Sequence, residues 1–180
     1  MQNTKEEFEK AIALCRDIFA KKSTDYGTSW RIMRPQSVTD QIYIKASRIR
    51  SLETKSSAMI DEDITSEFIG IVNYGTIGLI QLQLGFTDEA DISAEEAIKL
   101  YDKHITASKE LMYNKNHDYS EAWRKMRISS FTDIILMKLA RTKEIEKNDG
   151  KTIISEGIDA NYTDMINYAL FAIIKLEYER

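Results

Sequence analysis

The sequence predicts an all-α fold, a helical bundle built from a tandem duplication of a three-helix unit, the two copies related by a pseudo-twofold axis. The first observation is repetition. The segment NHDYSEAWRKMR, Asn116 to Arg127, is foreshadowed as TDYGTSWRIMR, Thr24 to Arg34, and a step of 93 residues superposes Asp25 on Asp118, Tyr26 on Tyr119, Trp30 on Trp123, Arg31 on Arg124 and Arg34 on Arg127. The register continues: Asp40, Lys45, Arg48 and Glu53 fall on Asp133, Lys138, Arg141 and Glu146. After one inserted residue, Glu62, Asn73 and Tyr74 fall on Glu156, Asn167 and Tyr168. The second observation is apolar residues at helical spacing, with no convincing alternation of β-branched and polar residues. The third is composition: one proline and seven glycines in 180 residues leave few helix breakers, and 43% hydrophobic with 30% charged residues fits a folded chain.

Each element has its own grounds. Thr4-x-x-Glu7 has the form of a capping box and opens the pattern Phe8, Ile12, Cys15, Phe19, which predicts a helix over 4–22. The segment 23–38, with Gly27 and Pro35, reads as a loop holding a short helical turn near Trp30. Ser37 or Thr39 caps a second helix ending near Lys55. Asp61, Glu62 and Asp63 place negative charge where a third helix begins, and Gly85 stops it after Leu84. Gly70, Gly75 and Gly78 lower its propensity and are expected to permit close packing. Ser93-x-x-Glu96 starts the second unit, with helices predicted over 93–113, 131–147 and 155–177 and the motif loop over 114–130. One domain over 1–180 follows, made of a diverged repeat 1–85 and a repeat 93–180 that is expected to carry the site.

The totals exclude several functions. A formal charge of −4 argues against general nucleic-acid binding. Cys15 has no partner for a disulfide and sits in an apolar helical pattern as a small buried hydrophobe. Asn73, Gln81 and Gln83 interrupt the longest apolar stretch, so no membrane span is expected, and the opening MQNTKEEFEK resembles no targeting peptide. A cytoplasmic protein is the default expectation. A fused pair of this kind is also compatible with a homodimer.

Chemistry concentrates in the second repeat. At about 100° per residue, Glu156, Asp159, Asp164 and Asn167 share one broad face of the last helix, although Glu156 and Asp164 are about 12 Å apart along its axis. Helix-borne carboxylates of this kind suit Mg²⁺ that retains water and phosphate ligands; the bland alternative is a solvated face with acids favouring the helix N-terminus. For Asp164, set among Met165, Ile166, Tyr168 and Leu170, function is favoured, because burying an unpaired carboxylate is costly. Lys138 and Arg141 lie three apart on the preceding helix and, with Arg124, form a candidate phosphate pocket, or else pair with acids such as Glu144. His117, Asp118 and Tyr119 are candidates for contacts to a base. Trp30 and Trp123 read as anchors of the motif loop. No Cys/His cluster suggests zinc, no glycine-rich phosphate loop follows a strand, and a serine triad would have to use one of only two histidines, so those classes are set aside.

KNHDYSEAWRKMR, followed by Asp133, Lys138, Arg141 and SEGIDANYTDMINYALFAI, strongly resembles the bacterial and phage family called nucleotide modification associated domain 1. The first half resembles a diverged copy. YTDMINYALFA is also similar to the last motif of the MazG-like all-α nucleoside triphosphate pyrophosphohydrolases, whose Glu-x-x-Asp stands here as Asn161-x-x-Asp164 and Glu67-x-x-Gly70. The resemblance implies nucleotide metabolism and a Mg²⁺-dependent hydrolase cleaving a nucleoside triphosphate or related phosphate ester. Asp164, Asp159 and Glu156 would be its catalytic and metal residues. Lys138, Arg141, Arg124, His117, Asp118, Tyr119 and Asn167 would bind substrate. The competing expectation is a non-catalytic helical module that binds a nucleotide or a protein.

Overall fold

The structure, a computed structural model, describes residues 3–55 and 60–179, with the side chains of residues 60–63 left aside. Six helices follow in order: α1 Thr4–Tyr26, α2 Pro35–Glu53, α3 Ile60–Leu84, α4 Ala94–Tyr119, α5 Ile128–Lys147 and α6 Ile158–Glu177. Short 3₁₀ turns, Ser29–Ile32 and Ala122–Lys125, hold the two motif tryptophans. No strand occurs among the described residues, and no helix there is long and apolar enough to cross a membrane.

Local chemistry explains most boundaries and corrects several expected ones. Asn3, not Thr4, caps α1, its side chain accepting from the Glu6 N–H. Thr4 is thereby free to donate to Glu121 of the second motif. Ser93 caps α4 as expected, accepting from the Glu96 N–H at 3.1 Å. Pro35 begins α2 at a position where its missing N–H costs nothing. Both α1 and α4 run further than the pattern predicts, to Tyr26 and Tyr119, and end where the backbone turns left-handed, at Gly27 and at Ser120–Glu121. The last helix starts at Ile158, so Glu156 lies in the preceding loop, and its rotation relative to Asp164 is not set by the helix. Side chains of Asp61, Glu62 and Asp63 fall outside the described ones.

Three contacts are self-paired: α3 with α6, α2 with α5, and α1 with α4. The other helix–helix contacts come in equivalent pairs, α2–α3 with α5–α6, α1–α6 with α4–α3, and α1–α3 with α4–α6. This is the pattern of a pseudo-twofold axis. The α3–α6 contact at its centre depends on glycines: a Cβ on Gly75 would stand 2.7 Å from Ile166 Cγ1, and one on Gly78 2.7 Å from the Tyr162 ring. Side chains repeat the symmetry. Thr39 donates to Glu146 at 3.2 Å, and its counterpart Thr132 hydrogen-bonds Glu53. Buried residues of both repeats form one hydrophobic cluster, Cys15 among them.

The motif arginines serve this frame. Arg31, 2% exposed, donates to both oxygens of Asp91, to Gln81 and to the Gly85 carbonyl, fastening the connection between repeats. Its counterpart Arg124 gathers Glu7, Glu121 and Glu179, tying the first helix to the C-terminal end of the last. Arg124 is therefore a structural hub, not the free phosphate ligand expected from the sequence: its donors are taken by three carboxylates and Thr4.

Candidate functional site: a pocket formed twice

Each repeat closes a pocket between the end of its first helix, its 3₁₀ turn and its third helix. In the first repeat α1 contributes Lys22, Ser23 and Tyr26, the turn Trp30, with Met33 just beyond it, and α3 Gly70, Asn73 and Tyr74, with Lys45 reaching in from α2. In the second repeat the same positions supply Lys115, Asn116, Tyr119, Trp123, Met126, Asp164, Asn167 and Tyr168. The cavities measure 480 and 430 Å³, within the range of small-ligand sites. Two pockets of one design arise because the 93-residue repeat carries their lining as well as their frame.

Three differences separate them. In the second pocket the Asp164 carboxylate lies 2.8 Å from Lys138 Nζ and 3.3 Å from Lys115 Nζ, with its side chain 14% exposed. In the first, Gly70 stands at that position, and the acid of the repeat is Glu67, one turn earlier, paired with Arg48 at 2.8 Å and more distantly with Lys45 at 3.7 Å. Lys22, counterpart of Lys115, has no carboxylate partner among the described residues. The second difference is polar: Trp123 donates to Asn116 at 3.0 Å, whereas Ser23 donates to the Phe19 carbonyl and leaves the Trp30 N–H with no protein acceptor among the described residues. The third is stacking. Trp123 lies on Phe171 at 4.5 Å and carries Arg124 at 4.4 Å, but the one ring contact of Trp30 among the described residues is a tilted one with Phe19 at 6.4 Å.

The other residues singled out from the sequence disperse. Asp159 is exposed in the first turn of α6 and lines a groove with His104, Leu111 and Thr163. Glu156, on the loop, lines a separate depression with Lys138, Arg141, Lys151 and Asn161. Asp164 lines neither of these depressions, and no group of three or more metal-ligating side chains occurs among the described residues. His117 and Asp118 touch each other at 3.4 Å in the exposed last turn of α4, while Tyr119 does line the pocket. Asn167 donates to the Ser108 carbonyl at 3.1 Å, and its Oδ1 is buried without a partner. The symmetry explains that orphan: Asn73 donates to Cys15 in the same way, but its Oδ1 accepts from Tyr101 at 2.7 Å, and the position equivalent to Tyr101 is Phe8.

The segments that build these pockets are also the ones a family model recognises. The model described as nucleotide modification associated domain 1 matches residues 22–82 and again residues 115–176. The chain belongs to the nucleotide modification associated domain 1 family. Its two matches begin at Lys22 and Lys115, so each copy of the domain opens on the pocket lysine. Comparison with curated proteins and with solved structures returned no match. Lys22 and Lys115 are the functional candidates that sequence reasoning missed. Their signal was the 93-residue register, which extends upstream of Asp25 to this pair.

Proposed function

We propose that the chain binds a nucleotide in the pocket of its first repeat, the base against Trp30, Tyr26 and Tyr74 and the phosphates toward Lys22 and Lys45. The observation that carries this reading is the free state of the first pocket. Its indole N–H and one lysine lack protein partners among the described residues, while their counterparts in the second pocket are hydrogen-bonded and ion-paired. An aromatic wall beside cationic side chains suits a ligand that is flat at one end and anionic at the other. The family's association with nucleotide modification points the same way.

A Mg²⁺-dependent pyrophosphohydrolase is the finer reading suggested by the MazG-like motif. The described residues do not fit that metal as one set, because Asp159 and Glu156 face other cavities and Asp164 is held by two lysines. Binding without hydrolysis is therefore the reading we favour, and no reaction step is assigned to these acids. The test is a panel of ribo- and deoxyribonucleoside mono- and triphosphates, with Mg²⁺ or Mn²⁺, followed by tryptophan emission and by pyrophosphate release. A nucleotide should quench emission in the parent and in Trp123→Phe but not in Trp30→Phe, with no turnover above background. Quenching that survives in Trp30→Phe, or no binding by any member, would sink the assignment; pyrophosphate release abolished by Asp164→Asn would restore the hydrolase.

A further inference from the structure

The second repeat records where an anion sits in the first. Asp164 places its carboxylate between Lys115 and Lys138, one oxygen to each, at 3.3 and 2.8 Å. The counterparts of those lysines, Lys22 and Lys45, line the first pocket, and the counterpart of Asp164 is Gly70, which supplies no side chain. The Lys45 chain lies across the glycine, its Nζ 3.0 Å from where a Cβ would stand. Its one carboxylate contact among the described residues, Glu67 at 3.7 Å, is longer than the 2.8 Å that Glu67 makes with Arg48. Lys22 thus has no carboxylate partner among the described residues, Lys45 has the distant Glu67, and Gly70 supplies no acid at the position that Asp164 fills in the second repeat.

We infer that the first repeat contains a phosphate-binding site over Gly70, between Lys22 and Lys45, and that Asp164 is a built-in occupant closing the same site in the second. A phosphate oxygen pair presents two lysines with a bite close to that of a carboxylate and with more negative charge, and lysine serves it as a point charge. The chain would then take one phosphate-bearing ligand, although it carries the pocket twice. The inference rests on the nucleotide reading only for the organic part of that ligand; the anion site follows from the two lysines and the exchange of Asp for Gly.

Reciprocal substitutions test it on the full-length protein by titration calorimetry, with inorganic pyrophosphate and ATP as probes and circular dichroism to check folding. The parent should bind one equivalent. Gly70→Asp should weaken binding at least tenfold, since it places a carboxylate where Asp164 stands in the second repeat, and the atoms nearest the added Cβ belong to the movable end of Lys45. Asp164→Ala, which keeps a good helix former, should raise the stoichiometry from one to two. Should Gly70→Asp fail to fold, Asp164→Ala decides alone. Two equivalents bound by the parent, or a Gly70→Asp variant as tight as the parent, would overturn the inference. Pyrophosphate binding in this pattern without competition from ATP would leave the anion site standing and remove the nucleotide; ATP binding indifferent to both substitutions would do the reverse.

Discussion

Single atoms distinguish the two halves. The hydroxyl of Tyr101 satisfies Asn73, and its absence from Phe8 leaves Asn167 Oδ1 buried and unpaired. Leaving such a group unsatisfied costs about 1–3 kcal/mol, whereas making the bond returns about 1 kcal/mol. Tyr101→Phe should accordingly lower the free energy of unfolding by about 1–3 kcal/mol, and Phe8→Tyr should raise it by about 1 kcal/mol, both read from urea melts. A Phe8→Tyr variant less stable than the parent would mean that the two sites are not equivalent around that ring. The sequence marked Asp164 as a semi-buried acid and Lys138 as a cation awaiting a phosphate or an acid, without pairing the two. Lys115 was not marked, because it lies on α4 past residue 113, where the apolar period predicts no helix.

At the scale of elements, the α3–α6 contact is the least tolerant. Gly78→Ala would gain about 1 kcal/mol of helix propensity. It would also drive a Cβ to 2.7 Å from the Tyr162 ring, which cannot retreat because its hydroxyl is held by Thr39 at 2.6 Å and donates to the Pro35 carbonyl at 2.9 Å. Overpacking of this kind costs about 1–3 kcal/mol, so the substitution should destabilise by about 1 kcal/mol net, measured by thermal or urea unfolding. The six helices themselves were legible from apolar period, and α4 also from its Ser93 cap, whereas Arg34 and not Ser37 or Thr39 precedes α2. Their ends were less so: α1 and α4 absorb the first half of the motif because Gly27 and Ser120, not the polar residues before them, supply the left-handed turn. The acidic face of the last helix was legible only as rotation. Glu156 lies before the helix begins, and neighbouring helices direct Asp159 and Asp164 into different cavities.

Across the whole molecule, charge at the axis links stability to pH. Burial raises the pKa of Glu53 and of Glu146, the two acids that meet threonines of the opposite repeat. Each keeps its proton to a higher pH when folded than when unfolded. Below the unfolded value both states are protonated and the groups cost nothing; as pH climbs through the raised pKa the folded chain comes to bear two half-buried charges, and stability falls. Replacing both acids by Gln should therefore help more at pH 7 than at pH 4, seen as a larger rise in melting temperature over the parent at the higher pH. An equal effect at both would place the carboxylates in solvent. The exchange of Gly70 for Asp164 has its own consequence at this scale. In a dimer of identical chains any change to one pocket is made in both, so opening one and sealing the other is forbidden by symmetry. Joining the halves in a single polypeptide lifts that restriction: one half can hold a ligand while the other, neutralised from within, stays on as its scaffold.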